Sequence, residues 1–131
     1  MFDPEYDAPL WDDPIKYPID ENGFIIKDGM LLRYCGTEAN PTLPVGIRVI
    51  GEFSFMGIDT LQSITLPNTV VHIGASAFWD CPHLQSVTFP ATVRIIGRKI
   101  LEGSPNAVVT APAGSYAAQY AAENGIPLQL I

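Results

Sequence analysis

Internal repetition constrains this chain more than any other feature. Aligned at an offset of 23, residues 43–65 (LPVGIRVIGEFSFMGIDTLQSIT), 66–88 (LPNTVVHIGASAFWDCPHLQSVT) and 89–111 (FPATVRIIGRKILEGSPNAVVTA) superpose column by column. Pro44, Pro67 and Pro90 coincide, as do Gly51, Gly74 and Gly97, and Ile50, Ile73 and Ile96. The apolar columns Ile47/Val70/Val93, Phe55/Phe78/Leu101, Leu61/Leu84 and Ile64/Val87 keep the same register. The third unit loses one residue near Asn106, so Val109-Thr110 meets Val87-Thr88 one place early. A unit this short cannot bury its own apolar side chains and must stack on its neighbours.

Within a unit, LQSITLP and LQSVTFP alternate inward Leu and Ile/Val with outward polar residues and stop at proline, which reads as a short half-buried strand. VVHIG reads as a second extended piece ended by glycine, and ASAFWDC as a single helical turn sending Phe78 inward. The expected fold is a repeat solenoid, mostly β with short helical turns. It would be a stack of about three coils with an N-terminal hairpin and a C-terminal helix cap. Twelve prolines and 11 glycines in 131 residues agree, because a helical bundle would not tolerate them.

The pattern LP-x-x-V-x-x-IG-x-x-AF-x-x-C-x-x-L-x-x-V resembles the leucine-rich repeats of the BspA-like, Treponema-type family (leucine-rich repeat type 5). Residues 66–88 follow it nearly throughout, Cys81 included; residues 43–65 carry Ile58 in place of the cysteine. Residues 89–111 drift, with Ile100-Leu101 in the AF positions and Ser104 in the cysteine position. GFIIKDGMLLRYCG is similar to the hairpin ahead of the family's first repeat, and GSYAAQYAAENGIPLQLI to its closing helix and strand. The resemblance covers roughly residues 23–131. It implies a binding module rather than an enzyme, since some members are surface proteins that bind host or partner proteins.

The ends need seals, because a solenoid exposes apolar edges. Ser115 is the expected N-cap of a helix through Asn124, ended by Gly125 and Pro127. Phe24 to Tyr34 reads as two strands turning at Lys27-Asp28-Gly29. The expected division is residues 1–22 as an N-terminal flap or lead-in and 23–131 as one repeat domain. Within that domain, 23–42 form the hairpin, 43–111 the repeats and 112–131 the cap. Residues 1–22 hold Asp3, Glu5, Asp7, Asp12, Asp13, Asp20 and Glu21 against Lys16 alone, so most of the net charge of -7 sits there. With Phe2, Tyr6, Trp11 and Tyr17 interleaved, the segment reads as a flap covering the stack's end, as an acidic aromatic docking segment, or as a disordered lead-in.

An acidic chain repels phosphate, which disfavours nucleic acid, and no apolar run suits a membrane span. The acidic, proline-rich start is unlike a signal peptide. The expectation is therefore cytoplasmic if Met1 is the natural start, and surface or secreted if a leader precedes it. No zinc spacing or phosphate-cradling glycine motif occurs, so no cofactor or metal is expected. Cys81 occupies a core column, and Cys35 lies too far along the stack for a disulfide. His72 and His83 fall in variable columns expected at the surface. Asp12-Asp13 suits solvated charge.

The surface columns carry the binding expectation. Thr42, Thr65, Thr88 and Thr110 should form a ladder flanked by Ser63/Ser86 and Gln62/Gln85, and Trp79 stands out as a large apolar residue at a variable position. The expected contact residues are Gln62, Ser63, Thr65, Trp79, Gln85, Ser86 and Thr88. They would present a non-catalytic, protein-binding surface. The alternatives are an accessory subunit or enzyme with a site made by loop convergence, and a domain that self-associates weakly into a homo-oligomer.

Overall fold

A computed structural model describes residues 12–131. Beyond a 3-10 turn at Pro14–Lys16, the chain forms β1 (Phe24–Lys27), β2 (Met30–Tyr34), β3 (Val49–Ile50), β4 (Ser63–Thr65), β5 (His72–Ile73), β6 (Ser86–Thr88), β7 (Ile95–Ile96), β8 (Val108–Ala111), α1 (Tyr116–Glu123) and β9 (Leu128–Leu130). Successive coils lay their strands into two sheets. One runs β1-β2-β3-β5-β7, antiparallel only between β1 and β2; the other runs β4-β6-β8-β9 and is parallel throughout.

The register follows the repeat. Val49 pairs with His72 and His72 with Ile95, Ile64 with Val87 and Val87 with Val109, and Thr65 with Thr88 and Thr88 with Thr110. Each coil therefore sets equivalent side chains on top of one another, and the inward columns fuse into one core. Ile50, Ile73, Leu61, Leu84, Phe55 and Phe78 are fully buried in it. Tyr34, Phe55 and Phe78 stack along it, with ring centroids 5.6 and 5.1 Å apart.

The stack has about five turns, more than the three expected. The repeat motif undercounts because both ends add rungs without it. Met30 and Leu31 of the hairpin pair in parallel with Val49 and Ile50, Thr42 bridges to Thr65, and β9 extends the second sheet beyond β8. The helical turn expected at ASAFWDC is a single tight turn, the Trp79 amide donating to the Ser76 carbonyl at 3.1 Å, and it goes no further. Ser76 and Asp80 adopt left-handed conformations (φ 58° and 61°), which no right-handed helix can propagate through. The same two positions are left-handed in the coils on either side, at Phe53 and Gly57 and at Lys99 and Gly103. Alternate amides on either side of that turn point to the next coil. Phe55, Gly57, Phe78 and Asp80 donate to the carbonyls of Ala77, Trp79, Ile100 and Glu102 at 2.8–2.9 Å.

The glycine column has a steric cause. A Cβ on Gly74 would lie 2.6 Å from the Glu52 nitrogen, and one on Gly97 would lie 2.5 Å from that of Ala75. Side chains staple the coils as well. The Cys81 thiol donates to the Phe55 carbonyl at 3.0 Å, and one coil on, the Ser104 hydroxyl donates to the Phe78 carbonyl at 2.8 Å. Thr69 and Thr92 donate in the same manner to Ile47 and Val70. Cysteine and serine thus share a column because both supply one buried donor of similar size. Burial pushes the Cys81 thiol up from its ordinary range, so it stays protonated and unreactive at neutral pH.

Ser115 caps α1 by accepting from the Ala118 amide, and Tyr120 donates to the Gly97 carbonyl at 2.9 Å, seating the helix over the end of the first sheet. At the other end, Asp12 departs from the solvated charge expected. Its carboxylate accepts from the Tyr17 hydroxyl at 2.8 Å and from Lys16, and it reaches Lys27 on β1 at 3.4 Å. The Tyr17 hydroxyl and Lys16 hold it well below the usual carboxylate range. Phe2, Tyr6 and Trp11, the remaining aromatics of the proposed flap, lie outside the described residues.

Candidate functional site

The expected contact residues divide into two places. Ser63, Thr65, Ser86 and Thr88 stand in register on β4 and β6, within a threonine row that runs from Thr42 through Thr65 and Thr88 to Thr110. Gln62 and Gln85 precede the two strands, joined by a 2.8 Å bond from the Gln85 amide to the Gln62 carbonyl. Much of this polarity is spent within the ladder: the Ser63 hydroxyl donates to Asn40, and Ser86 and Thr110 share a hydrogen at 3.3 Å. Ser63, Ser86 and Thr88 are half-buried, which leaves Gln62, Thr65 and Gln85 as the exposed members.

Trp79 sits elsewhere, on the arc between β5 and β6. It is 39% exposed, and its ring meets Phe53 edge-on at 6.0 Å. The two line a hollow of about 580 Å³ with Met56, Arg33, Ile15, Pro14 and Asp13. The repeat builds this wall, since Arg33, Met56 and Trp79 recur at the 23-residue interval on successive coils. Phe53 is there because its left-handed backbone turns it toward the ring one coil on, where the equivalent residue is Ser76. Ile15, 87% exposed, closes the rim from the N-terminal 3-10 turn. Arg33 is half-buried and neither bonds nor pairs with any described residue. An aromatic wall, a thioether and an unengaged guanidinium make a pocket for an apolar group with an acceptor beside it. Sequence reasoning singled out Trp79 but not Phe53 or Arg33. The signal for Arg33 was its place one period ahead of Met56; for Phe53 there was none.

The two histidines lie on different sides of the coil, one on β5 of the first sheet and one in the turn before β6 of the second. His72 is 4% exposed, not at the surface as expected, because β5 lies in the middle of its sheet with Val49 and Ile95 packed in register on either side. His83 is exposed in the turn before β6. Cys35 is exposed and Cys81 buried, and both are free thiols. A hollow of about 750 Å³ at the N-terminal end carries Asp20, Glu21 and Glu38 around Phe24 and Tyr34. Among the described residues, no group of three His, Cys, Asp or Glu side chains comes together to hold a metal. No helix of the described residues is long and apolar enough to cross a membrane.

Residues 29–117 match the BspA type leucine rich repeat region in six copies. The chain belongs to the BspA-type leucine-rich repeat family. Among solved structures, it is similar to a leucine rich cell surface protein from Faecalibacterium prausnitzii A2-165, with a TM-score of 0.57 and 24% identity. The alignment covers 71% of this chain and 27% of that one, so the likeness is one of fold, and the chain spans about a quarter of that protein. No curated protein matches the chain. Within the BspA-type pattern, Cys81 and Ser104 sit in the cysteine column as structural donors, and Trp79 occupies a column that the repeat leaves open to Met56 and Glu102.

Proposed function

We propose that the chain is a non-catalytic protein-interaction module whose partner is anchored in the Trp79 hollow. The exposed Gln62, Thr65 and Gln85 form a second, polar contact face. The observation that carries this reading is the hollow itself, where Trp79, Phe53 and Met56 surround space beside Arg33, which bonds with no described residue. Trp and Arg dominate the energetics of protein contacts because each buries a large area while directing polar groups. A partner side chain that is apolar, with a carboxylate or carbonyl next to it, suits the pocket. The non-catalytic reading is supported by Cys81 being buried and protonated, and by His72 lying inside the first sheet.

The test is co-purification from the native host, followed by calorimetry with the purified partner, on the parent chain and three variants. Trp79→Ala should weaken binding about 30-fold or more, the scale of a hot-spot residue. Arg33→Ala should weaken it by a smaller factor, and Thr65→Arg should act only through the polar face. All three should fold normally, as their side chains lie outside the core. A partner that binds the Trp79→Ala and Arg33→Ala variants as tightly as the parent overturns the anchor.

A further inference from the structure

The C-terminal end of the second sheet is built differently from its middle. Leu128 continues the inward column of Ile64, Val87 and Val109, and Leu130 that of Leu66, Phe89 and Ala111. Along this second column exposure runs 3%, 1% and 0%, then jumps to 55% at Leu130, with Ile131 at 66%. α1 covers the first sheet's end through Tyr120 and packs on β8, yet leaves the outer rim of β9 open.

The backbone is equally unfinished. In the parallel pairing with β8, the Val109 amide donates to Pro127 and the Ile131 amide to Ala111. Residues 127, 129 and 131 therefore face β8, and alternation turns both the N–H and the C=O of Leu128 and Leu130 toward the free edge. Among the described residues, β9 has no sheet neighbour on that side. Four backbone groups and one misplaced core leucine define a strand-shaped site.

We infer that β9 is the docking edge for a second copy of this chain, paired antiparallel about a twofold axis through Gln129. In that register Leu128 faces Leu130 of the partner copy, and each pair exchanges both N–H···O bonds, giving four in all. The exposed Leu130 then packs beside Leu128 of the other copy on the core side. The two Gln129 residues meet as the close, non-hydrogen-bonded pair. Charge selects this occupant. Residues 103–131 contain Glu123 as their single ionisable acid or base among side chains other than tyrosine, whereas residues 1–22 carry a balance of -6. C-terminal edges bring few side-chain charges together, while any arrangement joining the N-terminal ends opposes two concentrations of like charge. A three-residue edge is small, so the dimer is concentration-dependent and exchanges freely. This inference stands apart from the Trp79 anchor, which lies on another surface.

The test combines sedimentation velocity with cross-linking on the full chain. The parent should pass from monomer to dimer between roughly 10 μM and 1 mM, the range of weak associations. Leu130→Lys should remain monomeric throughout with an unchanged melting curve, since the side chain is exposed in the monomer. In a Cys35→Ser background, Gln129→Cys should form a disulfide-linked dimer with oxidised glutathione at least about tenfold faster than Asp59→Cys on an exposed turn. The Cα separation of such a pair, about 4.5 Å, falls within disulfide reach. A parent that stays monomeric, a dimer that survives Leu130→Lys, or Gln129→Cys cross-linking no faster than Asp59→Cys overturns the proposal. Open-ended growth without that cross-link would mean head-to-tail stacking and overturns it equally.

Discussion

Gly74→Ala probes the contact between coils directly. The φ of Gly74 is not in the left-handed region, so alanine suits its backbone, and the usual result would be a gain of about 0.4–1 kcal/mol from a less flexible unfolded chain. The structure reverses that sign. The new Cβ would lie 2.6 Å from the Glu52 nitrogen, 2.9 Å from the Gly51 carbonyl carbon and 3.1 Å from the Glu52 Cα, all of them backbone atoms. None can swing aside as a flexible side chain would. The coils must move apart by several tenths of an ångström, loosening the 2.7 Å bond from the Gly74 amide to the Ile50 carbonyl. Overpacking of this kind costs about 1–3 kcal/mol, so a net loss of roughly 2 kcal/mol is expected. At this chain length that lowers the melting temperature by about 6–10 °C. Thermal and urea unfolding monitored by circular dichroism would measure it, with Gly97→Ala expected to behave alike. A melting temperature equal to or above the parent's would refute the steric account of the glycine column.

Further outcomes follow from the staples and caps. Ellman's reagent should label one thiol per native chain, Cys35, and a second only after unfolding. Cys81→Ser should keep stability within about 1 kcal/mol because serine preserves the donor to Phe55, whereas Cys81→Val strands that carbonyl and should cost about 1–3 kcal/mol in urea titration. Because burial raises the Cys81 ionisation above its ordinary 9.0, its share of stability is intact below that pH and is lost as pH rises beyond it; alkaline melts should show a decline that Cys81→Ser removes. Tyr120→Phe deletes the bond to Gly97 and should cost about 0.5–1.5 kcal/mol, read as a lower melting temperature. Asp12 ionises below its ordinary 3.8, so its docking of Tyr17 and Lys27 persists above that value and loosens only as pH falls further. The Tyr17 ring resonances in an NMR pH titration should stay fixed from pH 7 to about 4 and shift below.

Much of the architecture was legible because stacked coils write their contacts as columns. Ile50, Ile73 and Ile96 align in the sequence and sit on one another in the first sheet, and the residue missing near Asn106 reappears as the register of Val87 with Val109. The chain ends hid their rungs because pairing there depends on backbone alone. Leu31 sits beneath Ile50, and Leu128 beside Val109, at spacings shorter than the repeat. The arc read as helical because ASAFWDC has helix-compatible residues, while left-handed Ser76 and Asp80 carry no glycine to announce them. The surface was less legible than the core. Threonines marked the ladder correctly, but only the side-chain geometry showed Ser63 and Ser86 bonding within it. Trp79 was visible as an outlier, whereas its partner Phe53 shares a column with Ser76 and Lys99 that carries no such signal.

One ladder runs unbroken through the coils, and native-state hydrogen exchange tests it most directly. The amides of Gly51, Gly74 and Gly97 each donate to the preceding coil, to Leu31, Ile50 and Ile73, at 2.7–2.9 Å. They should exchange last and with a shared opening free energy equal to that of global unfolding, with protection falling toward β9 and the N-terminal turn. Contradiction would take the form of Gly74 exchanging as fast as the chain ends, or of the three amides opening with unrelated free energies, because neither is compatible with coils locked into one stack.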